Sequence, residues 1–178
     1  MQEKVTPLKD AYKGKFLIGT ALDYPALQGK APLDVDIAAT HFDALTAGNS
    51  MKPDALQPAE GEFRFAEGDR LVEIARKSGA TVVGHTLLWH EQTPRWFFEG
   101  KGGRPLDREL ALSRLRQHIS TVVGHFKGRV KQWDVLNEAI NDGPGLLRQT
   151  PWLKAIGDDY IAEAFHAAHR ADPKAILI

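Results

Sequence analysis

Short apolar runs alternate with helical patterns along this chain, and no other feature of the sequence limits the possible folds as strongly. The apolar runs predict strands at residues 16–22, 44–49, 81–88, 130–137 and 174–178. In most of the intervening segments apolar residues recur every three or four positions, which predicts helices at residues 34–42, 66–78, 107–128 and 158–171. Strands that alternate with helices are typical of βα units around a parallel sheet.

Two architectures share this alternation. Four βα units followed by the start of a fifth strand correspond to about half of an eight-stranded barrel, which takes ~250 residues. The alternative, an open doubly wound sheet, usually carries a glycine-rich phosphate-binding loop after its first strand. Residues 19–23, Gly-Thr-Ala-Leu-Asp, do not form such a loop. We therefore predict an α/β fold consisting of the first four βα units of a TIM (β/α)8 barrel plus the start of strand five.

The composition excludes several classes of function. The chain has 23 Lys and Arg residues and 23 Asp and Glu residues, so its formal net charge is zero and we expect no nucleic acid as partner. No stretch approaches the ~20 apolar residues that span a bilayer, so we expect no membrane segment either. The absence of cysteine excludes disulfides, thiolate nucleophiles and cysteine-based zinc sites. Nothing after Met1 resembles a signal peptide.

Polar and aromatic side chains collect at the carboxyl ends of the predicted strands. They are Asn49 and Lys52 after the second strand, His85, Trp89, His90 and Gln92 on or after the third, and Asp134, Asn137 and Glu138 on or after the fourth. Barrel enzymes build their active sites at this face, from the loops that follow the strands. We therefore take these residues as candidates for a functional site.

Glu138 is the best candidate for a catalytic acid, because it ends an apolar strand and has Asn137 beside it. A carboxylic acid that is kept from water holds its proton more tightly and can donate it near neutral pH. Glycosidic bonds need such a donor, since an alkoxide leaves poorly unless its oxygen is protonated as the bond breaks. An adjacent amide can hydrogen-bond a sugar hydroxyl. The alternative is an inert, exposed glutamate at the start of a loop.

The other candidates each have a structural alternative. His85 is either a site residue whose ring is oriented by Asp134 or a packed histidine of the core. Trp89 is either a floor on which a sugar ring stacks or an ordinary core aromatic. Lys52 is either a binding residue or a solvated charge. His85 and His90 lack the spacing of a helical His-Glu-x-x-His site, so we predict no metal site.

Four segments resemble glycoside hydrolase family 10, the endo-1,4-β-xylanases with a barrel fold. They are residues 48–58, 60–65, 84–90 (Gly-His-Thr-Leu-Leu-Trp-His) and 133–139 (Trp-Asp-Val-Leu-Asn-Glu-Ala). The resemblance extends from about Leu8 to the end of the chain. It implies hydrolysis of internal β-1,4 bonds in xylan with retention of configuration, and it implies no cofactor. It also implies a secreted or periplasmic location and a cis peptide bond between His85 and Thr86.

Carried over position by position, the resemblance implies a role for each candidate. Glu138 matches the general acid/base, and Asn137 matches an amide that contacts the sugar at the cleaved bond. The residues that match contacts to glycone sugars are Asn49, Lys52, His85 and Trp89, with Gln92 and His90 close by and Asp134 supporting His85. Gly48 stands where many members have a glutamate that helps bind a glycone sugar, so the chain departs from the family there.

The second carboxylate of a retaining mechanism has no match. Family members carry the nucleophilic glutamate on a later strand, in a Thr-Glu-Leu-Asp-like segment that these 178 residues lack. We therefore expect residues 1–178 to be the N-terminal part of a single catalytic barrel, inactive alone and completed by a second chain, with xylan or xylo-oligosaccharides as substrate. Two alternatives remain: a sugar-binding or assembly fragment without chemistry, and a metal-dependent barrel hydrolase that uses His85 and His90.

Overall fold

The strands form one parallel sheet in chain order. The structure, a computed structural model, describes residues 5–178. Its five strands are β1 (Gly19–Leu22), β2 (Ala44–Ala47), β3 (Thr81–Leu88), β4 (Gln132–Leu136) and β5 (Ile176–Leu177). Each pairs in parallel with its neighbour in sequence, in the order β1-β2-β3-β4-β5. Sequential parallel strands with helices between them are part of a (β/α)8 barrel, as predicted.

A short helix precedes β1, and the other helices lie between successive strands. They are α1 (Leu8–Ala11), α2 (Tyr24–Leu27), α3 (Pro32–His41), α4 (Pro53–Leu56), α5 (Ala66–Ser78), α6 (Arg108–Phe126), α7 (Pro151–Ile156) and α8 (Tyr160–Ala171), with short 3-10 turns at Arg95–Phe97 and Lys101–Gly103. The Asp107 side chain caps α6 by accepting from the Leu110 amide at 2.8 Å. Gly79 ends α5 in the left-handed conformation that favours glycine. No helix within residues 5–178 combines the length and apolar character needed to cross a membrane.

Several predicted elements are longer than the observed ones. The first strand begins at Gly19 rather than at residue 16: its pairing with β2 starts at Gly19, while Phe16 is exposed and stacks on Tyr12. The second strand ends at Ala47 and the fourth at Leu136, so the polar residues that follow them lie in loops. An apolar run marks a strand but not the residue at which the backbone leaves the sheet.

The core lies between the sheet and the helices, chiefly α5, α6 and α8. Its largest fully buried side chains are aromatic: Trp133 on β4, Trp152 on α7, Tyr160 on α8, Phe97 and Phe126. Gly84 on β3 lies directly against the Trp133 ring. This packing fixes β3 against β4, and these two strands lead into most of the candidate site residues.

Candidate functional site

The candidate residues come together at the carboxyl edge of the sheet. Asn49 and Lys52 lie between β2 and α4, and Trp89, His90 and Gln92 follow β3. His85 lies on β3 and Asp134 on β4, paired in register, while Asn137 and Glu138 follow β4. Because the ends of parallel strands meet at one edge, residues distant in sequence become neighbours there. The hydrogen bonds described below connect most of these residues.

Lys52 is the centre of a polar cluster. Its side chain is largely buried, and its Nζ donates to Asn49 Oδ1 at 3.0 Å and to Gln92 Oε1 at 2.7 Å. Gln92 Nε2 also donates to Asn49 Oδ1, at 3.2 Å. The Lys52 Nζ lies 4.8 Å from the centroid of the Trp89 ring, within the range of a cation–π contact. Lys52 is therefore a fixed cation held by amides and an aromatic face, and not a solvated charge.

The Glu138 carboxylate is held at the end of β4. Its Oε2 accepts a hydrogen bond from Trp89 Nε1 at 2.9 Å and lies 3.8 Å from His90 Nε2. Its backbone carbonyl accepts from Arg148 Nε at 3.0 Å. The Glu138 side chain is 48% exposed. Residues 5–178 alone therefore do not keep water away from this carboxylate, contrary to the expectation for a catalytic acid.

Backbone conformation sets Glu138 apart from a regular strand residue. Glu138 has φ +54° and Gln92 has φ +43°, and within residues 5–178 they are the two non-glycine residues with positive φ. Such conformations are unfavourable for side-chain-bearing residues and concentrate at functional sites. Because β4 ends at Leu136, Asn137 and Glu138 are not constrained to opposite faces of the sheet.

His85 and Asp134 form a partly exposed pair. His85 Nδ1 lies 2.8 Å from Asp134 Oδ2, and since a carboxylate only accepts, Nδ1 carries the proton and Nε2 remains available. The His85 side chain is 24% exposed, so it is not a histidine of the core. The His85–Thr86 peptide bond is cis, as the resemblance implies.

Three residues of this edge were not among the candidates. Asp23, directly after β1, accepts from Asn49 Nδ2 at 3.1 Å. Trp152 Nε1 donates to the Trp89 carbonyl at 2.9 Å and thereby holds the loop after β3. Arg148 contacts the Glu138 carbonyl. Asp23 could have been identified from the sequence because, like the other candidates, it directly follows a predicted strand. No sequence signal links Arg148 or Trp152 to this edge.

The two histidines do not form part of a metal-binding group. Within the described part of the chain, no three His, Asp or Glu side chains are arranged to hold a metal ion. His85 Nδ1 is engaged by Asp134, and His90 Nε2 faces Glu138 and Glu91. The donors needed for the metal-dependent alternative are therefore not assembled within residues 5–178.

Comparison with known proteins gives one consistent family. A sequence profile described as "Glycosyl hydrolase family 10" matches residues 7–178. The chain is 46% identical to endo-1,4-β-xylanase A of a Caldicellulosiruptor species over 177 residues, covering 96% of this chain and 26% of that protein.

Solved structures agree over the same region. Xylanase XynB from Paenibacillus barcinonensis, solved in complex with a conduramine derivative, has a TM-score of 0.91 at 43% identity, covering 98% of this chain and 52% of that one. The intracellular xylanase TsXylA of Thermoanaerobacterium saccharolyticum has a TM-score of 0.91 at 42% identity, covering 99% and 56%. The chain therefore spans about half the length of these two solved relatives.

Proposed function

Because the chain belongs to glycosyl hydrolase family 10, we propose that it provides the acid/base half of an endo-1,4-β-xylanase. The observation that carries the proposal is the Glu138 carboxylate, hydrogen-bonded by Trp89 and linked through that ring to Lys52, Asn49 and Gln92. A proton donor beside a row of hydroxyl-binding groups is what cleavage of a polysaccharide chain requires.

The reaction proceeds in two steps with a covalent intermediate. In the first, a carboxylate nucleophile attacks the anomeric carbon while Glu138 gives its proton to the departing glycosidic oxygen. In the second, Glu138 takes a proton from water, whose oxygen attacks the anomeric carbon and releases the nucleophile. The two inversions give retention of configuration.

The remaining candidates bind the sugars on the glycone side. Lys52 donates from a fixed ammonium group, and Asn49 and Gln92 offer amides that both donate and accept. His85, with its Nδ1 proton directed to Asp134, presents Nε2 as an acceptor for a hydroxyl. Trp89 serves Glu138 with its indole N–H, and Asn137 contacts the sugar at the cleaved bond.

The nucleophile comes from outside these 178 residues. Retention requires two carboxylates ~5–5.5 Å apart, and the segment expected to carry the second has no match here. We propose that the rest of strand five and strands six to eight, supplied by a second chain or by further sequence, provide it. Residues 1–178 then form the N-terminal part of one catalytic barrel. The half-exposed Glu138 side chain supports this, because the missing half would cover it.

The acid/base role is tested by changing the leaving group. The material is the assembled catalytic unit, meaning this chain together with the polypeptide that supplies the remaining strands of the barrel. We expect Glu138→Ala to lower xylan hydrolysis roughly 10²–10⁴-fold. The first step with dinitrophenyl β-xylobioside should be far less affected, because dinitrophenolate leaves without a proton. Azide, which needs no base, should then replace water and yield a β-xylobiosyl azide.

Glu109→Gln is the matched control, since Glu109 is an exposed carboxylate in the first turn of α6 that pairs with Arg108 and with no site residue, and it should leave both rates unchanged. Equal losses on xylan and on the dinitrophenyl substrate would contradict the role of Glu138 as proton donor.

A further inference from the structure

Glycine at position 48 leaves a space that the Asp23 side chain fills. Gly48 directly follows β2, and a methyl group added there would collide with Asp23 Oδ1 and lie 2.8 Å from Asp23 Cγ. A side chain at position 48 and the observed position of this carboxylate therefore exclude each other. Gly48 is not among the glycines with positive φ. Its backbone conformation therefore does not require glycine, and the reason for glycine here is the space that the Asp23 side chain occupies.

The Asp23 carboxylate does not cap the helix that follows it. Asp23 is the residue before α2, where aspartate side chains commonly accept from the first helical N–H groups, but it makes no such bond. Pro25 removes one of those donors. Oδ1 instead accepts from Asn49 Nδ2. The residue is exposed, and within residues 5–178 its Oδ2 has no hydrogen-bond partner, so a free acceptor is held at the carboxyl edge of the sheet.

Asp23 stands at one end of a continuous row of contacts, and Glu138 stands at the other. The row runs from Asp23 to Asn49, from Asn49 to Lys52, from Lys52 to the Trp89 ring and from Trp89 to Glu138. Between these two carboxylates the row contains an amide, an ammonium group and an aromatic face, and no other carboxylate. A carboxylate at the remote end supplies the strong acceptor for hydroxyls that the row otherwise lacks.

We propose that Asp23 is a specificity-determining residue, and that its carboxylate accepts from a hydroxyl of a xylose unit bound farther from the cleaved bond than the unit beside Glu138. The inference rests on the proposed function. Glycine at 48 makes it possible, because any larger residue would displace the carboxylate. Substrates too short to reach Asp23 do not form this hydrogen bond, whereas longer substrates form it and are bound more tightly.

The test measures kcat/KM of the assembled catalytic unit on aryl β-glycosides of xylose, xylobiose and xylotriose. Losing one charge-assisted hydrogen bond costs roughly tenfold in affinity. Asp23→Ala should therefore lower kcat/KM about tenfold more on the substrates with two or three sugars than on the aryl xyloside. Gly48→Ala should give the same length-dependent loss, because its methyl group displaces the carboxylate without removing it.

Asp36→Asn on α3 is the control, since the Asp36 side chain is exposed and makes no hydrogen bond within the described residues, and it should change none of the rates. We expect both variants to fold, because Asp23 is exposed and Gly48→Ala requires only the end of the Asp23 side chain to move. If one of them does not fold, the other still tests the inference. A loss that is equal for all lengths, or no loss, overturns the inference and leaves the proposed function standing. If the unmodified unit hydrolyses none of the glycosides, the proposed function fails and the inference fails with it.

Discussion

A buried histidine connects α6 to the residues that carry the site. His118 Nε2 lies 3.1 Å from the Leu87 carbonyl of β3, and Nδ1 lies 2.9 Å from Gln57 Oε1, just after α4. Its side chain has no solvent exposure. Burial lowers the pKa of His118 from its ordinary value of 6.5 to about 4, and the Leu87 carbonyl offsets this only in part.

His118 makes stability depend on pH in a defined window. Between the unfolded pKa of 6.5 and the folded pKa of about 4, the unfolded chain binds a proton that the folded protein does not. The free energy of unfolding should therefore fall as pH is lowered through this window, by about 3 kcal/mol in total from this group. Urea unfolding at pH 7, 6, 5 and 4 measures it. His118→Gln should remove this part of the pH dependence of the free energy of unfolding, whereas His169→Gln, the exposed control, should leave it unchanged.

Most site residues could be predicted because polar residues that come just after an apolar run lie at the carboxyl edge of the sheet. This placement identified Asn49, Lys52, Trp89 and Glu138. The positive φ of Glu138 could not be predicted in this way, because no sequence pattern specifies the backbone conformation of this loop residue. The partial exposure of Glu138 also could not be read from an apolar sequence neighbourhood, because burial is decided by elements distant in sequence.

The pairing of β3 with β4 depends on a glycine facing a tryptophan. A methyl group on Gly84 would lie 2.7 Å from Trp133 Cδ2 and would collide with the six-membered ring beside it. Trp133 is fully buried, so its ring has no space to move into. The absence of a side chain at 84 is therefore a packing requirement of the sheet.

Two glycine-to-alanine changes should have opposite effects. Gly84→Ala should destabilise the protein by about 1–3 kcal/mol, through overpacking against Trp133. Gly124→Ala, in α6 with no atom near the added methyl group, should stabilise it by about 0.5–1 kcal/mol through helix propensity. Urea midpoints at constant m-value measure both. Equal effects would show that contact with Trp133 does not limit position 84.

Periodicity predicted the long helices and missed the short ones. The helices α5, α6 and α8 show the helical repeat over twelve or more residues, and β3 has eight residues with apolar pairs near its start and at its end. The helices α2 and α4 have four residues each, which is too short for a repeat to be recognised. Their positions are set by loop contacts, such as the Asp54 amide donating to the Gln92 carbonyl at 2.9 Å.

Within residues 5–178 the sheet ends at β1 and β5, and apolar side chains lie exposed near both edges. Ile37 on α3 is 47% exposed, and Ile176 and Ile178 at the other edge are 60% and 56% exposed. Unpaired strands with exposed apolar side chains take up further strands or aggregate. In a closed (β/α)8 barrel these edges are paired, which agrees with the proposal that the remaining strands of the barrel complete the site.

The most direct measurement compares xylan hydrolysis by residues 1–178 alone, by the polypeptide that supplies the remaining strands alone, and by the two mixed. We expect release of xylo-oligosaccharides only from the mixture, and loss of most of that activity when the mixture carries Glu138→Gln. Sustained hydrolysis of xylan by residues 1–178 alone, abolished by the same substitution, would contradict the claim that this chain holds the proton donor without the nucleophile.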